Sequence, residues 1–149
     1  MTDSTISLRR ADPADLDRAE ALLAANDFPH RDVRTDAVQL FVAESGSEFV
    51  GVGGLEPRGS NALLRSVVVA EPCRGKGYGA ELCAALEERA RTEGIDELYL
   101  LTTTAAAFFR RNGYETIDRE SAPPRIRRTT QFEDLCPDSA VCMTKSLDG

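Results

Sequence analysis

Apolar positions near the N-terminus change from the spacing of a strand to that of a helix. Residues 5–10 are predicted to form a strand, after which Asp12 supplies a helix cap and Pro13 occupies the first helical position. The predicted helix runs to about Ala25, and one of its faces is apolar: Leu16, Ala19, Leu22 and Leu23. Residues 31–38 follow as a loop or short helix of the kind that could cover a substrate.

The next part of the chain is rich in β-forming residues and interrupted by turns. Residues 39–44 and 48–56 are typical of a hairpin around a Ser-Gly-Ser turn. A second turn over 57–61 leads into residues 62–69. Three antiparallel strands are therefore predicted in succession.

Helical periodicity returns after residue 76. Leu82, Leu86 and Ala90 line one face of a predicted helix from Gly77 to Glu93, and the apolar segment 97–102 favours a central strand parallel to its predecessor. A short helix and two strands follow, at 105–112, 114–119 and 140–146. The order predicts a single domain over 1–149 of class α/β (α+β), with a mixed sheet of about seven strands flanked by helices.

Composition narrows the class of protein. The 149 residues include 42% apolar and 29% charged side chains, with no apolar run long enough to span a membrane and no basic, apolar N-terminal signal. We therefore expect a cytoplasmic protein with no membrane partner. The net charge of −7 argues against a nucleic-acid partner, which would favour a basic face. The four cysteines lack zinc-site spacing, so no metal is expected.

A glycine-rich turn joins the third strand to the following helix. Its alternating glycines let successive backbone N–H groups point toward one anion, and the helix start and two basic side chains add positive charge. This spacing fits neither a dinucleotide fingerprint, in which the third glycine comes one residue later, nor a Walker loop, which needs Ser or Thr after the lysine. A pyrophosphate-bearing ligand is expected at Arg74, Gly75, Lys76, Gly77, Tyr78 and Gly79.

The turn resembles the acetyl-CoA pyrophosphate loop (Arg/Gln-x-x-Gly-x-Gly/Ala) of the GCN5-related N-acetyltransferase (GNAT) superfamily. Residues 107–114, Ala-Phe-Phe-Arg-Arg-Asn-Gly-Tyr, resemble the last eight positions of that family's Ala-x-Phe-Tyr-x-x-x-Gly-Phe pattern, with Phe109 at the tyrosine position. With the order of elements, the resemblance covers nearly the whole chain and implies the GNAT acyl-CoA N-acyltransferase fold with acetyl-CoA as acyl donor.

The resemblance also implies further contacts with the cofactor. Backbone groups of the third strand would bond the pantetheine arm, and one N–H would stabilise the oxyanion. The candidates are Val67, Val68, Val69, Phe108 and Asn112, with core packing as the alternative for Phe108. Homodimers are common in the superfamily, although no exposed apolar stripe in this sequence argues for one.

Transfer to an amine requires a proton acceptor, because only the neutral amine attacks a thioester. Glu56, at the end of the second hairpin strand, is the first candidate and Glu44 the second, acting directly or through a water. The alternative is that both are solvated strand-end residues.

The family often uses a tyrosine to protonate the departing CoA thiolate, and in this sequence that position is Phe109. A thiol of pKa about 8.5 that leaves unprotonated at neutral pH forgoes roughly 2 kcal/mol, so transfer would be slowed. Tyr114, Tyr78, a threonine of 102–104 or water could substitute. Otherwise, Phe109 indicates a module that binds acyl-CoA without fast turnover.

The C-terminal third, residues 125–143, together with 98–104 resembles the arsenic-resistance N-acetyltransferase branch, whose relatives acetylate amino-acid-like toxins. Arg125, Arg127 and Arg128 could pair with a carboxylate or arsinate, or could form a solvated basic face. Cys73, Cys136 and Cys142 could bind trivalent arsenic, although a buried, inert Cys142 is favoured.

The sequence therefore predicts an acetyl-CoA-dependent N-acetyltransferase that acts on a small, anionic, amino-acid-like amine, in toxin or arsenic resistance. The alternative is a non-catalytic acyl-CoA- or metalloid-binding module.

Overall fold

A single mixed sheet organises the computed structural model, which describes residues 6–25, 38–46, 48–70, 77–102, 105–127 and 140–147. In these residues the sheet has seven strands in the order β1-β2-β3-β4-β5-β7-β6. The strands are β1 Ser7–Arg10, β2 Gln39–Ser45, β3 Glu48–Arg58, β4 Asn61–Val69, β5 Glu97–Thr102, β6 Glu115–Ile117 and β7 Val141–Ser146. The helices are α1 Pro13–Ala25, α2 Tyr78–Thr92, α3 Ala106–Arg111, α4 Pro124–Arg127 and a 3-10 turn at Arg119–Ser121.

The sheet contains one parallel pair, between β4 and β5, among antiparallel neighbours. This pair runs from Asn61 opposite Glu97 to Leu63 opposite Tyr99. Beyond it β4 continues to Val69 and β5 to Thr102 without pairing to each other in the described residues. The middle of the sheet therefore opens into a wedge.

A bulge in β4 lies beside this wedge. Val68 pairs with Val52, but Arg65 pairs with Gly54, so residues 66 and 67 both oppose Gly53. A bulge of this kind bends the strand and changes which face its later side chains occupy. Gly53 also packs closely against α2: a Cβ there would lie 2.5 Å from Leu86 Cδ1, so Leu86 would have to move to admit one.

The core lies on both faces of the sheet. Helices α2 and α3 cover one face, where the largest cluster includes Phe41, Leu55, Leu82, Leu86, Leu98 and Met143. Helix α1 covers part of the other face through Ala19 and Leu23, and α4 covers the rest through Ile126, which packs with Leu63 and Tyr99. No helix in the described residues is long and apolar enough to cross a membrane.

The predicted fold class and the parallel placement of β5 are confirmed. Two boundaries were wrong: β3 extends to Arg58, and β6 ends at Ile117 because the chain then turns into the 3-10 helix. Part of the segment between the last two predicted strands, for which no element was predicted, is also helical. Pro124 occupies the first position of α4, where its missing N–H leaves no bond unmade, and Ile126 is fully buried.

Candidate functional site

The wedge between β4 and β5 contains the first group of predicted cofactor residues. Val67 and Val69 pack toward the α2 face, whereas Val68 is 5% exposed and packs with Leu23 of α1. An extended chain that enters such a wedge can add hydrogen bonds as a further strand would. The geometry therefore suits a narrow, amide-bearing arm.

Helix α2 begins at the mouth of this wedge with the last residues of the glycine turn. Gly77 is the N-cap with φ of 83°, and no side chain of the described residues caps the helix. Tyr78 follows, and a Cβ at Gly79 would lie 3.3 Å from the Phe108 ring. The exposed N–H groups of this helix start can receive an anion. Arg74, Gly75 and Lys76 lie outside the described residues, so their role stays a prediction.

Helix α3 supports the turn from behind. Phe108 is half-buried against Gly79, and its ring meets Phe109 edge-on with centroids 5.1 Å apart. Asn112 ends the helix: its Nδ2 donates to Phe108 O at 2.8 Å, while its own carbonyl accepts from Lys145 Nζ at 2.9 Å. Phe108 therefore contacts the last glycine of the turn, whereas the described bonds of Asn112 are within α3 and to Lys145 of β7.

Most of the described hydroxyl groups that could replace the missing tyrosine already have hydrogen-bond partners. Tyr114 donates to Glu87 Oε2 at 2.9 Å, and burial together with Glu87 raises the pKa of Tyr114 far above its usual value. Tyr99 donates to Glu97 Oε1 at 3.1 Å. Thr102 Oγ1 accepts the Ala105 N–H at 3.0 Å. Tyr78, half-buried at the start of α2, is the remaining tyrosine of the three.

Glu56 lies at the closed end of the wedge, opposite Leu63. Its side chain is 3% exposed, and its Oε2 accepts from Arg58 Nη2 at 2.6 Å. Its Oε1 lies 3.4 Å from Nη1 of Arg65, whose side chain is fully buried. The Arg58 side chain is 35% exposed, but its Nε is buried without a hydrogen-bond partner among the described residues. We call Glu56, Arg58 and Arg65 the β3–β4 charge cluster.

The family of this chain follows from its match to a known family model. The model of the acetyltransferase (GNAT) family matches residues 5–114. The chain belongs to the GNAT acetyltransferase family. The predicted GNAT fold is confirmed by the same match.

Individual relatives share parts of this GNAT domain. An uncharacterized N-acetyltransferase of Chlorobaculum tepidum is 36% identical over 90 residues, which are 58% of this chain and 56% of that protein. An amino-acid acetyltransferase of Ectopseudomonas mendocina is 40% identical over 60 residues, 40% of this chain and 14% of that protein. The crystal structure of N-acetylglutamate synthase from Neisseria gonorrhoeae, complexed with coenzyme A and N-acetyl-glutamate, superposes with a TM-score of 0.81 at 18% identity over 99% of this chain and 36% of that one. The chain thus spans about half or less of these relatives.

The GNAT domain's two described tail arginines bond to backbone oxygens. Arg125 Nη1 donates to Arg58 O at 3.3 Å and fills the space beside Gly59, and Arg127 Nε donates to Ala122 O at 3.1 Å. Arg125 thereby joins α4 to the end of β3, next to the β3–β4 charge cluster. Arg128 lies outside the described residues, as does most of the tail resemblance.

The remaining candidates lie away from the wedge or are buried. Glu44 pairs with Arg9 at 3.3 Å beside the edge strand β1. Burial raises the pKa of Cys142 to about 11, so this thiol stays protonated at neutral pH. Cys73 and Cys136 lie outside the described residues.

Arg58 and Arg65 were not predicted as partners of Glu56. Arg58 could have been found, because residues two apart in a strand share a face and it follows Glu56 by two. Arg65 could not, since its position opposite Gly54 depends on the β4 bulge.

Proposed function

We propose that this GNAT domain is an acetyl-CoA-dependent N-acetyltransferase that acts on the amino group of a small, anionic, amino-acid-like acceptor. The observation that carries the proposal is the wedge between β4 and β5, with Gly77 and the start of α2 at its mouth. The pantetheine arm would bond to the β4 backbone at 67–69, and the pyrophosphate would lie at residues 74–79.

Glu56 then assists deprotonation of the acceptor through a water. Glu56 is three residues along β3 from Gly53, which opposes Val67, so it lies about 10 Å along the strand from the bulge. A carboxylate oxygen can accept two hydrogen bonds, and each Glu56 oxygen has one guanidinium partner among the described side chains. Acceptor capacity therefore remains for a water. The amine nitrogen forms a bond to the thioester carbon, and the C–S bond breaks to release the CoA thiolate. The amine proton passes through this water to the Glu56 carboxylate.

The acceptor class is supported by the charges at the wedge and by the relatives. A cluster with two guanidiniums and one carboxylate favours an anionic acceptor. One relative is an amino-acid acetyltransferase, and the structurally similar synthase binds N-acetyl-glutamate. The tail resemblance extends the proposal to toxins in which phosphinate or arsinate replaces a carboxylate.

The test is release of CoA thiol from acetyl-CoA across small amines, including carboxylate, phosphinate and arsinate amino acids. Amine-dependent release, with the acetylated amine identified by mass spectrometry, is the expected result. Because Phe109 lacks a proton to donate, a non-catalytic acyl-CoA-binding module is the second candidate. Acetyl-CoA binding with no release for any amine would favour that candidate.

A further inference from the structure

We propose that Arg58 determines acceptor specificity by binding the α-carboxylate of a free α-amino acid, with Arg65 and Glu56 holding its guanidinium in place. This inference rests on the acetyl transfer proposed above and names the acceptor class and the residue that selects it.

The charge balance of the β3–β4 charge cluster is the first argument. Arg65 and Glu56 are both removed from water, and they compensate each other's charge at 3.4 Å. Arg58 adds a second positive charge, so the cluster carries a net charge of +1. Arg58 lies opposite Asn61 of β4, and Asn61 lies opposite Glu97 of β5. The Glu97 carboxylate is therefore two strands from Arg58, and it already accepts a hydrogen bond from Tyr99. Counted over the three described side chains of the cluster, one positive charge is left for a ligand anion to neutralise.

The donor geometry of Arg58 is the second argument. A guanidinium has five N–H donors in a planar fork that matches a carboxylate bidentately. Arg58 Nη2 donates a hydrogen bond to Glu56, while the buried Nε of Arg58 lacks a partner among the described residues. A buried donor without an acceptor is unfavourable by about 1–3 kcal/mol. A carboxylate that reaches Nε would remove that penalty. Nε itself is buried, so the carboxylate would have to approach from the exposed 35% of the side chain.

The position of Glu56 completes the argument. Its Oε2 is 2.6 Å from Arg58, so the proposed proton acceptor and carboxylate site are adjacent. An α-amino acid also carries its amine and carboxylate on one carbon. A polyamine would be repelled by the net positive charge, and an amide would leave Nε without a charged acceptor.

The experiment compares each standard L-amino acid with its α-carboxamide, as acceptors in thiol release and as ligands of the CoA-loaded protein by calorimetry. Wild-type protein should prefer the best acid over its amide. Arg58→Gln should lower kcat/KM for that acid by about 10- to 100-fold and leave the amide within about 3-fold. Arg58→Lys should restore only part of the preference, because it keeps the charge but loses the fork.

Arg9→Gln is the matched control, since Arg9 is likewise a strand arginine that is paired with carboxylates, those of Asp15 and Glu44, but it lies at the far edge of the sheet. It should keep the acid preference. Equal losses for acid and amide in Arg58→Gln, with acetyl-CoA affinity retained, would show that Arg58 only orders Glu56 and would overturn the proposal. Wild-type protein without turnover would contradict the proposed function alone, since calorimetry still reports the preference. Binding of no standard amino acid to the CoA-loaded protein would overturn the specificity proposal.

Discussion

Glu56 lies directly opposite Leu63, and Leu63 belongs to the last residue pair that joins β4 to β5. The proposed proton acceptor is therefore on the strand beside the wedge, at the level where the wedge begins. The carboxylate of Glu56 and the opening of the sheet thus lie at the same level of the strands.

Gly77→Val should abolish detectable acetyl-CoA binding. Gly77 has a φ of 83°, and a β-branched residue there would be forced to change the backbone at the helix start. Gly94→Val is the matched control, because Gly94 has a φ of 86° at the other end of α2 and a Cβ meets nothing within 4 Å at either position. Calorimetry should show lost affinity at 77 only, with similar decreases in thermal stability. Unchanged affinity in the Gly77 variant would contradict the assignment of the pyrophosphate site.

Glu56→Gln should lower kcat by roughly 100-fold or more, as expected for removal of a general base, while acetyl-CoA affinity stays unchanged. The variant also leaves the fully buried Arg65 without its carboxylate, so the free energy of unfolding should fall by about 3 kcal/mol. Glu88→Gln on the exposed side of α2 controls for loss of a paired glutamate. Activity retained in folded Glu56→Gln would show that deprotonation occurs elsewhere.

Phe109→Tyr should raise turnover near neutral pH. A tyrosine at this position would protonate the departing thiolate, and the gain is bounded at about 30-fold by the roughly 2 kcal/mol forgone without a donor. Rates should be compared at pH 6.5 and 9, because above the thiol pKa of about 8.5 the thiolate leaves without help and the gain should vanish. A ratio that does not change with pH would argue against a role in protonation. Phe109 is 8% exposed between two aromatic rings, so folding is checked by circular dichroism.

Much of the fold follows from local signals in the sequence. Asp12 and Pro13 indicate the start of α1, and the apolar run 97–102 indicates a central strand, because each signal acts within one element. The partners of Glu56 depend on register instead: Arg65 reaches it from nine residues away through a bulge that leaves no pattern in the chain. The tail arginines could be identified from the sequence by their charge, but their partners could not. Only the packing of α4 shows that Arg125 bonds to the Arg58 carbonyl.

Alkaline pH should destabilise the protein through Cys83, which lies on the buried face of α2, four residues before Glu87. Burial, and secondarily Glu87, raises the pKa of Cys83 from 9 to about 12. Because the folded-state pKa lies above the unfolded value, only the unfolded thiol ionises between about pH 9 and pH 12. The free energy of unfolding is therefore highest below about pH 9 and falls as pH rises toward 12. Urea unfolding at pH 7, 9 and 10.5 should show the decline. Cys83→Ala should be less stable at pH 7, since it leaves a cavity, but its stability should fall less steeply with pH. Parallel pH profiles for the two proteins would show that Cys83 ionises equally in both states.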